Sequence, residues 1–300
     1  MKEIVRIILG LTIPCFLAAM IMGAVFVVTD KSKKQNEHNN TQETILGLLG
    51  YGRQNPVPEE LKLYTVYRYI VEEDRETYLG YMVPVNASNH ESHEFLMLDL
   101  EGRLVQRVPL DISLNKAIED SERQKILGER LKAGMAFTYQ DRIIVARLGE
   151  KRVAYLLPGE FTGFKTFIKV MLALDPQFDI IGLEIIEHEE DPGLGAEIEQ
   201  DYFRNQFRDK SFERLKNLAV VKDPLPDGYR RYLEDPDTLS AKELEEIRNQ
   251  YLDKDIYALT GATISSRAVT NGTKNLVKRF AYRIRILDEV IAGNQIQAMI

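Results

Sequence analysis

Leu259-Thr260-Gly261-Ala262-Thr263-Ile264-Ser265-Ser266 puts four hydroxyl side chains and a glycine where a turn gives way to a helical pattern. The first N–H groups of a helix lack intrahelical partners, and the aligned peptide dipoles favour an anion there. Gly261 has no Cβ, so a phosphate can approach the backbone closely. Taken alone, the motif suits an empty Ser/Thr cap better than a ligand seat. No Gly-Lys-Ser/Thr follows a strand, so a Walker loop is excluded. Downstream, Val269, Leu276, Phe280, Ile284, Leu287 and Ile291 recur at helical spacing and predict a long final helix starting near Ser265. Lys274, Lys278, Arg279, Arg283 and Arg285 fall largely off that stripe and read as a solvated face.

Upstream of the motif, Ser240 and Glu243 form a capping box with Leu239 and Leu244 as its staple, predicting a helix to about Leu252. Leu218 to Pro236, with Pro224, Pro226 and Gly228, reads as loop, and Ile198 to Phe207 as helix. Phe164 to Leu174 and Ile180 to Ile186 predict paired strands around Asp175-Pro176. They feed the loop His188-Glu189-Glu190-Asp191-Pro192-Gly193-Leu194-Gly195. Leu61 to Val71, Thr77 to Val85 and Ala136 to Leu157 alternate as strands, Glu94 to Leu110 as a hairpin turning at Glu101-Gly102, and Leu114 to Lys132 as a helix. The fold class is therefore α+β, with antiparallel-rich sheets and packed helices.

From Ile7 to Thr29 the chain runs 23 residues without a charge. At about 1.5 Å per residue this reaches the roughly 30 Å of a bilayer core, which predicts one transmembrane helix. A cleaved signal peptide has a shorter apolar run, and Pro14 before Cys15 argues against a lipoprotein. The expected organisation is an anchor over 1–30, a polar tether over 31–60 and a soluble domain over 61–300. Lys2 and Arg6 face Lys31, Lys33 and Lys34 across the span, so charge does not decide orientation. Beyond residue 34 there remain 34 basic and 44 acidic side chains. That balance argues against a nucleic-acid partner. Cys15 is the single cysteine and the four histidines are scattered, which leaves no disulfide and no expected metal site.

Thr-Gly-Ala-Thr-Ile-Ser-Ser-Arg-Ala-Val at 260–269 resembles the flavinylation motif of the FMN-binding domain family. The His188–Gly195 loop, Phe203, Gln206-Phe207 and Gly163-Phe164 fit the same pattern in the same order. That family includes the G subunit of the Rnf electron-transport complex and the C subunit of the sodium-pumping NADH:quinone reductase. The resemblance implies a covalent FMN phosphoester on Thr263, with Thr260, Gly261, Ala262, Ser265 and Ser266 around it. It also implies that Glu190, Asp191, Leu194 and Gly195 line the flavin ring. Implied partners are other membrane subunits of an Rnf-type complex, membrane lipid, and a flavin transferase that makes the bond. The implied location is the cell inner membrane, single-pass, with the soluble body outside the cytoplasm. The wording of the motif leans towards Rnf. The alternatives are the quinone-reductase subunit, a stand-alone membrane-tethered FMN protein, and an interaction module without flavin. The family pattern is not met everywhere. Tyr257 stands where it usually has an acidic residue, with Asp255 two positions away; Asp191 replaces a threonine; and 210–254 reads as an insertion.

Overall fold

The computed structural model describes residues 2–87 and 90–300; the side chains of residues 2–3, 5–7, 9, 11, 24, 27–28, 30–40, 87 and 90 lie outside the described set. Two compact units divide the chain, Met1–Gly47 and Leu48–Ile300.

The first unit is nearly all one helix, α1 (Lys2–Leu48), with Pro14 inside it. The helix continues through the stretch expected to be a polar tether, so 31–48 is helical and only 49–60 is irregular. Among the described residues no helix is long and apolar enough to cross a membrane. The side chains described without a gap run from Thr12 to Gly23 and are exposed. The flanking charges Lys2, Arg6, Lys31, Lys33 and Lys34 lie outside the described side chains.

The second unit is built on an eight-stranded antiparallel sheet. Its strands are β1 (Leu61–Glu73), β2 (Glu76–Ala87), β3 (His90–Leu98), β4 (Leu104–Leu110), β5 (Ala136–Leu148), β6 (Lys151–Thr162), β7 (Phe167–Leu174) and β8 (Ile180–Glu187). The order β4-β3-β2-β1-β5-β6-β7-β8 makes two four-stranded meanders joined by β1 and β5, which pair from Leu61↔Leu148 to Glu72↔Ala136. Short turns join β1 to β2, β3 to β4, β5 to β6, β6 to β7 and β7 to β8, as alternating β-branched and aromatic runs broken by turn residues require, while the connection from β4 to β5 carries a helix.

Alternation in β1 shows how both faces are covered. Tyr64 and Val66 enter one core, while Tyr67, Tyr69 and Val71 enter the other. The smaller core is closed by α2 (Asp120–Arg130), whose Leu127 is fully buried. The larger core is closed by a long helix, α7 (Thr263–Gly293), through Val269, Val277, Phe280, Ile284 and Leu287. Short elements complete that layer: α3 (Asp201–Arg204), α4 (Phe212–Lys216), α5 (Asp227–Glu234) and α6 (Ala241–Tyr251). A parallel pair, β9 (Val220–Val221) and β10 (Ile256–Tyr257), lies among them. Leu215, Leu218, Tyr229 and Leu233, from the segment expected to be an insertion, belong to the larger core.

Three local expectations change. Leu218–Pro236 is not all loop: Pro226 caps α5 and Gly228 sits in its first turn, where neither breaks a helix, and Tyr229 and Leu233 bury one turn apart. Ile198–Phe207 is not one helix, because Gln200 is extended (ψ 145°) and splits it. The basic residues of α7 are not one solvated face. Lys274 donates to the Leu218 carbonyl at 2.9 Å, Arg285 lies over the rings of Phe178 and Phe212, and Arg283 pairs with Asp141.

Candidate functional site

The hydroxyl-rich turn is set before any ligand is considered. Gly261 adopts φ +75°, a conformation that L side chains resist, and a Cβ there would meet Leu194 Cδ2 at 2.8 Å. Ala262 follows as the N-cap and Thr263 is the first helical residue, two positions earlier than the sequence suggests. The buried Ser266 hydroxyl donates to the Ala262 carbonyl at 2.9 Å and accepts from the Leu259 N–H at 3.0 Å. It thereby ties the turn to the helix. The N–H groups of Thr263, Ile264 and Ser265 have no hydrogen-bond partner among the described residues, as the first turn of a helix dictates.

The second half of the site is the loop after β8. Glu190, 4% exposed, accepts from the Phe164 N–H at 2.8 Å, the Lys165 N–H at 3.2 Å and the Ser265 hydroxyl. One carboxylate thus joins three segments: the β6–β7 turn, its own loop and α7. Gly163 and Gly195 leave it room, since a Cβ on either would come within 2.4 and 2.8 Å of its oxygens. His188 shapes the loop: Nδ1 accepts from the Glu190 N–H at 3.0 Å, and Nε2 faces Glu199 at 2.8 Å. Asp191 closes the turn through its carbonyl, which accepts from Leu194 and Ala196. Its carboxylate pairs with Lys165 at 2.5 Å and holds that ammonium above the usual lysine range. Both partners are half exposed, so the pair adds little stability.

Between these halves lies a groove of about 400 Å³. It brings together Glu190, Asp191, Leu194, Gly195, Gly261, Ala262, Thr263 and Ser265. Thr260 is exposed and does not line it; Ser266 is fully buried beneath it. Glu190 and Ser265 touch the groove, but their polar atoms are committed to each other and to the backbone. Phe164 and Ile264 also line it, 58% and 57% exposed. Sequence reasoning did not assign them a binding role. The signal was there in two apolar residues placed inside polar motifs, where no core requires them.

The turn is aimed from behind by residues of the preceding segment. The Gln206 amide, 2% exposed, accepts from the Tyr257 N–H at 2.7 Å and donates to the Tyr257 carbonyl at 3.3 Å. Asp255 is spent on Arg214 at 2.5 Å and the Ala219 N–H at 2.9 Å. Asp255 thus has a structural role.

Residues 163–278, which contain both halves of the groove, match the FMN-binding domain family. The chain is 35% identical over 134 residues to the G subunit of the proton-translocating ferredoxin:NAD(+) oxidoreductase complex of Clostridium ljungdahlii, a match covering 45% of this chain and 57% of that protein. It is 29% identical over 112 residues to the G subunit of the ion-translocating oxidoreductase complex of Haemophilus influenzae, covering 37% and 42%. The matches therefore span about half the length of these relatives. Among solved structures, NqrC of Shewanella oneidensis is similar at a TM-score of 0.35 and 18% identity, covering 49% of this chain and 58% of that one. The C subunit of the Na(+)-translocating NADH-quinone reductase of Parabacteroides distasonis is similar at 0.34 and 19%, covering 66% and 77%. Likenesses at that level carry no further argument.

Proposed function

We propose that the groove holds FMN through a phosphoester to Thr263, and that the chain is an electron-carrying subunit of an Rnf-type ion-translocating complex. The observation that carries this reading is the convergence of two motifs, 65 or more residues apart in sequence, on one groove with Thr263 in its wall. The groove suits the cofactor. Phe164, Leu194 and Ile264 offer exposed apolar surface of the kind an isoalloxazine ring covers. Thr263 would carry the phosphate beside the N–H groups of the first turn of α7, whose dipole favours the remaining negative charge. Bound there, FMN supplies one- and two-electron redox chemistry. The chain's own contribution is placement: Glu190 and Gln206 hold the two walls, and the apolar rim excludes water from one side.

A threonine hydroxyl is a weak nucleophile, and no base is hydrogen-bonded to Thr263 among the described residues. That supports a separate flavin transferase as the agent of attachment. The uncharged run Ile7–Thr29 supports a single membrane-spanning anchor in contact with lipid, with other membrane subunits as neighbours. Placement of the body outside the cytoplasm rests on the family resemblance. Coexpression with a flavin transferase, followed by ultraviolet fluorescence of the denatured band, tests the attachment. Wild type should fluoresce, Thr263→Ala should be dark and Thr260→Ala should retain signal. A dark wild type, or a bright Thr263→Ala, overturns it. Copurification with ferredoxin-oxidising rather than quinone-reducing subunits is the expected outcome for the complex.

A further inference from the structure

A second cavity lies where α7 crosses β1, β5 and β6, with a volume of about 120 Å³. Arg279 stands sixteen residues beyond Thr263, about 24 Å along the helix, so this cavity is separate from the flavin groove. Its chemistry is two-sided. Val66, Leu157, Leu276, Phe280 and Leu287 give it an apolar wall. Arg68, Arg142, Arg279 and Arg283 are the four arginines among the lining residues, and Asp141 is the one carboxylate.

That carboxylate is oversubscribed. Arg68 grips it with two bonds, at 2.8 and 2.6 Å, and Arg283 reaches the same Oδ2 at 3.2 Å. Burial pulls the Arg68 guanidinium down, but the bonds to Asp141 more than reverse it. Arg283 is left below its ordinary range by burial, with Arg68 beside it. Arg279 makes no hydrogen bond or ion pair with the described residues. Tyr81, 5% exposed, completes the polar side as a phenol kept protonated by burial. The lining therefore holds more positive than negative side chains, in a chain whose formal net charge is −7.

We propose that this cavity binds a small carboxylate with a short apolar tail. The geometry selects the class. Guanidinium forks match a planar carboxylate and remain charged at any physiological pH. The apolar wall would gain nothing from a fully hydrated phosphate or chloride, but it takes up methylenes at about 0.8 kcal/mol each. The volume limits length, since benzene fills an apolar cavity of about 150 Å³. At about 120 Å³ this cavity takes a tail of about three to five carbons, with the carboxylate at the exposed Arg279.

Calorimetry and thermal unfolding of the full chain in nonionic detergent, at fixed ionic strength, test this with hexanoate as the probe. Hexanoate should bind saturably and raise the unfolding midpoint, while hexanol, chloride and inorganic phosphate should not. Arg279→Gln, an exposed position that supports no other contact, should weaken hexanoate about tenfold, the worth of one charge-assisted hydrogen bond. Lys125→Gln is the control: Lys125 is exposed on α2, which closes the smaller core on the other face of the sheet, and is not among the residues lining the cavity, so binding should be unchanged. Hexanol equal to hexanoate, undiminished binding to Arg279→Gln, or hexanoate no better than chloride each overturns the proposal. Preference for phosphate overturns the carboxylate, and tighter binding of decanoate overturns the short tail.

Discussion

Removing the Glu190 side chain should loosen both walls of the groove at once, and its cost can be worked from the contacts. The carboxylate accepts two backbone N–H bonds and one hydroxyl bond. Hydrogen bonds to charged groups contribute about 1.5–3 kcal/mol each when buried. Phe164 and Lys165 are exposed, so their N–H groups recover water on truncation. Ser265 is 2% exposed and does not. The net expectation for Glu190→Ala is a loss of about 2–4 kcal/mol. For a unit of this size that lowers the melting midpoint by roughly 4–16 °C, at about 2–4 °C per kcal/mol. Glu190→Gln keeps the shape and one acceptor oxygen, and the Ser265 hydroxyl can turn to suit. It should lose about 1–2 kcal/mol. Urea unfolding followed by circular dichroism measures both, and flavin fluorescence of the same samples reports the groove. The reasoning fails if Glu190→Ala costs less than about 0.5 kcal/mol, or if glutamine proves as damaging as alanine.

Gly272→Val should destabilise by about 1–3 kcal/mol in the same assay, because even a Cβ at 272 would lie 2.2 Å from the Phe161 ring. Lys210, 1% exposed, donates to the carbonyls of Leu252 and Lys254, and burial pushes its ammonium down to about 8. Between pH 8 and 10.5 the folded chain then binds fewer protons than the unfolded one, so this lysine makes stability rise with pH, by about 3 kcal/mol across the full window. Buried tyrosines such as Tyr229, held above their usual range, oppose it near the top. The test is therefore the slope between pH 8 and 9.5, which Lys210→Met should flatten. Ser240→Ala removes the hydroxyl half of the α6 capping box, while the backbone N–H of residue 240 still donates to Glu243, and should cost about 1 kcal/mol, with flavin attachment unaffected; a larger loss would show that α6 depends on its cap more than on packing.

The strands were legible because half-buried alternation and turn residues state them directly. Leu61–Val71 and Ile180–Ile186 lie within strands observed a residue or two longer. Ser240 and Glu243 announced α6 through local chemistry alone. What failed depends on packing across the chain. Pro226 and Gly228 looked like breakers, and only the burial of Tyr229 and Leu233 reveals a helix around them. The groove was half legible. The motifs marked which residues gather there, but not that Ser265 and Glu190 would satisfy each other, nor that Thr260 would face outward. Hydroxyls of one motif look alike in sequence; burial separates them. Likewise nothing local tells Arg283 from Lys278 on α7. Asp141, 142 positions away, makes the difference.

The carboxylate of Glu190 also has a kinetic meaning. Its partners lie 25, 26 and 75 residues away along the chain. Contacts that close such separations form only after their loop entropy has been met, so the groove cannot precede the sheet and α7. A partly folded chain would present the same hydroxyl-rich sequence with no cleft around it. Whatever engages Thr263 through the cleft therefore senses completion of folding, not merely the presence of the motif.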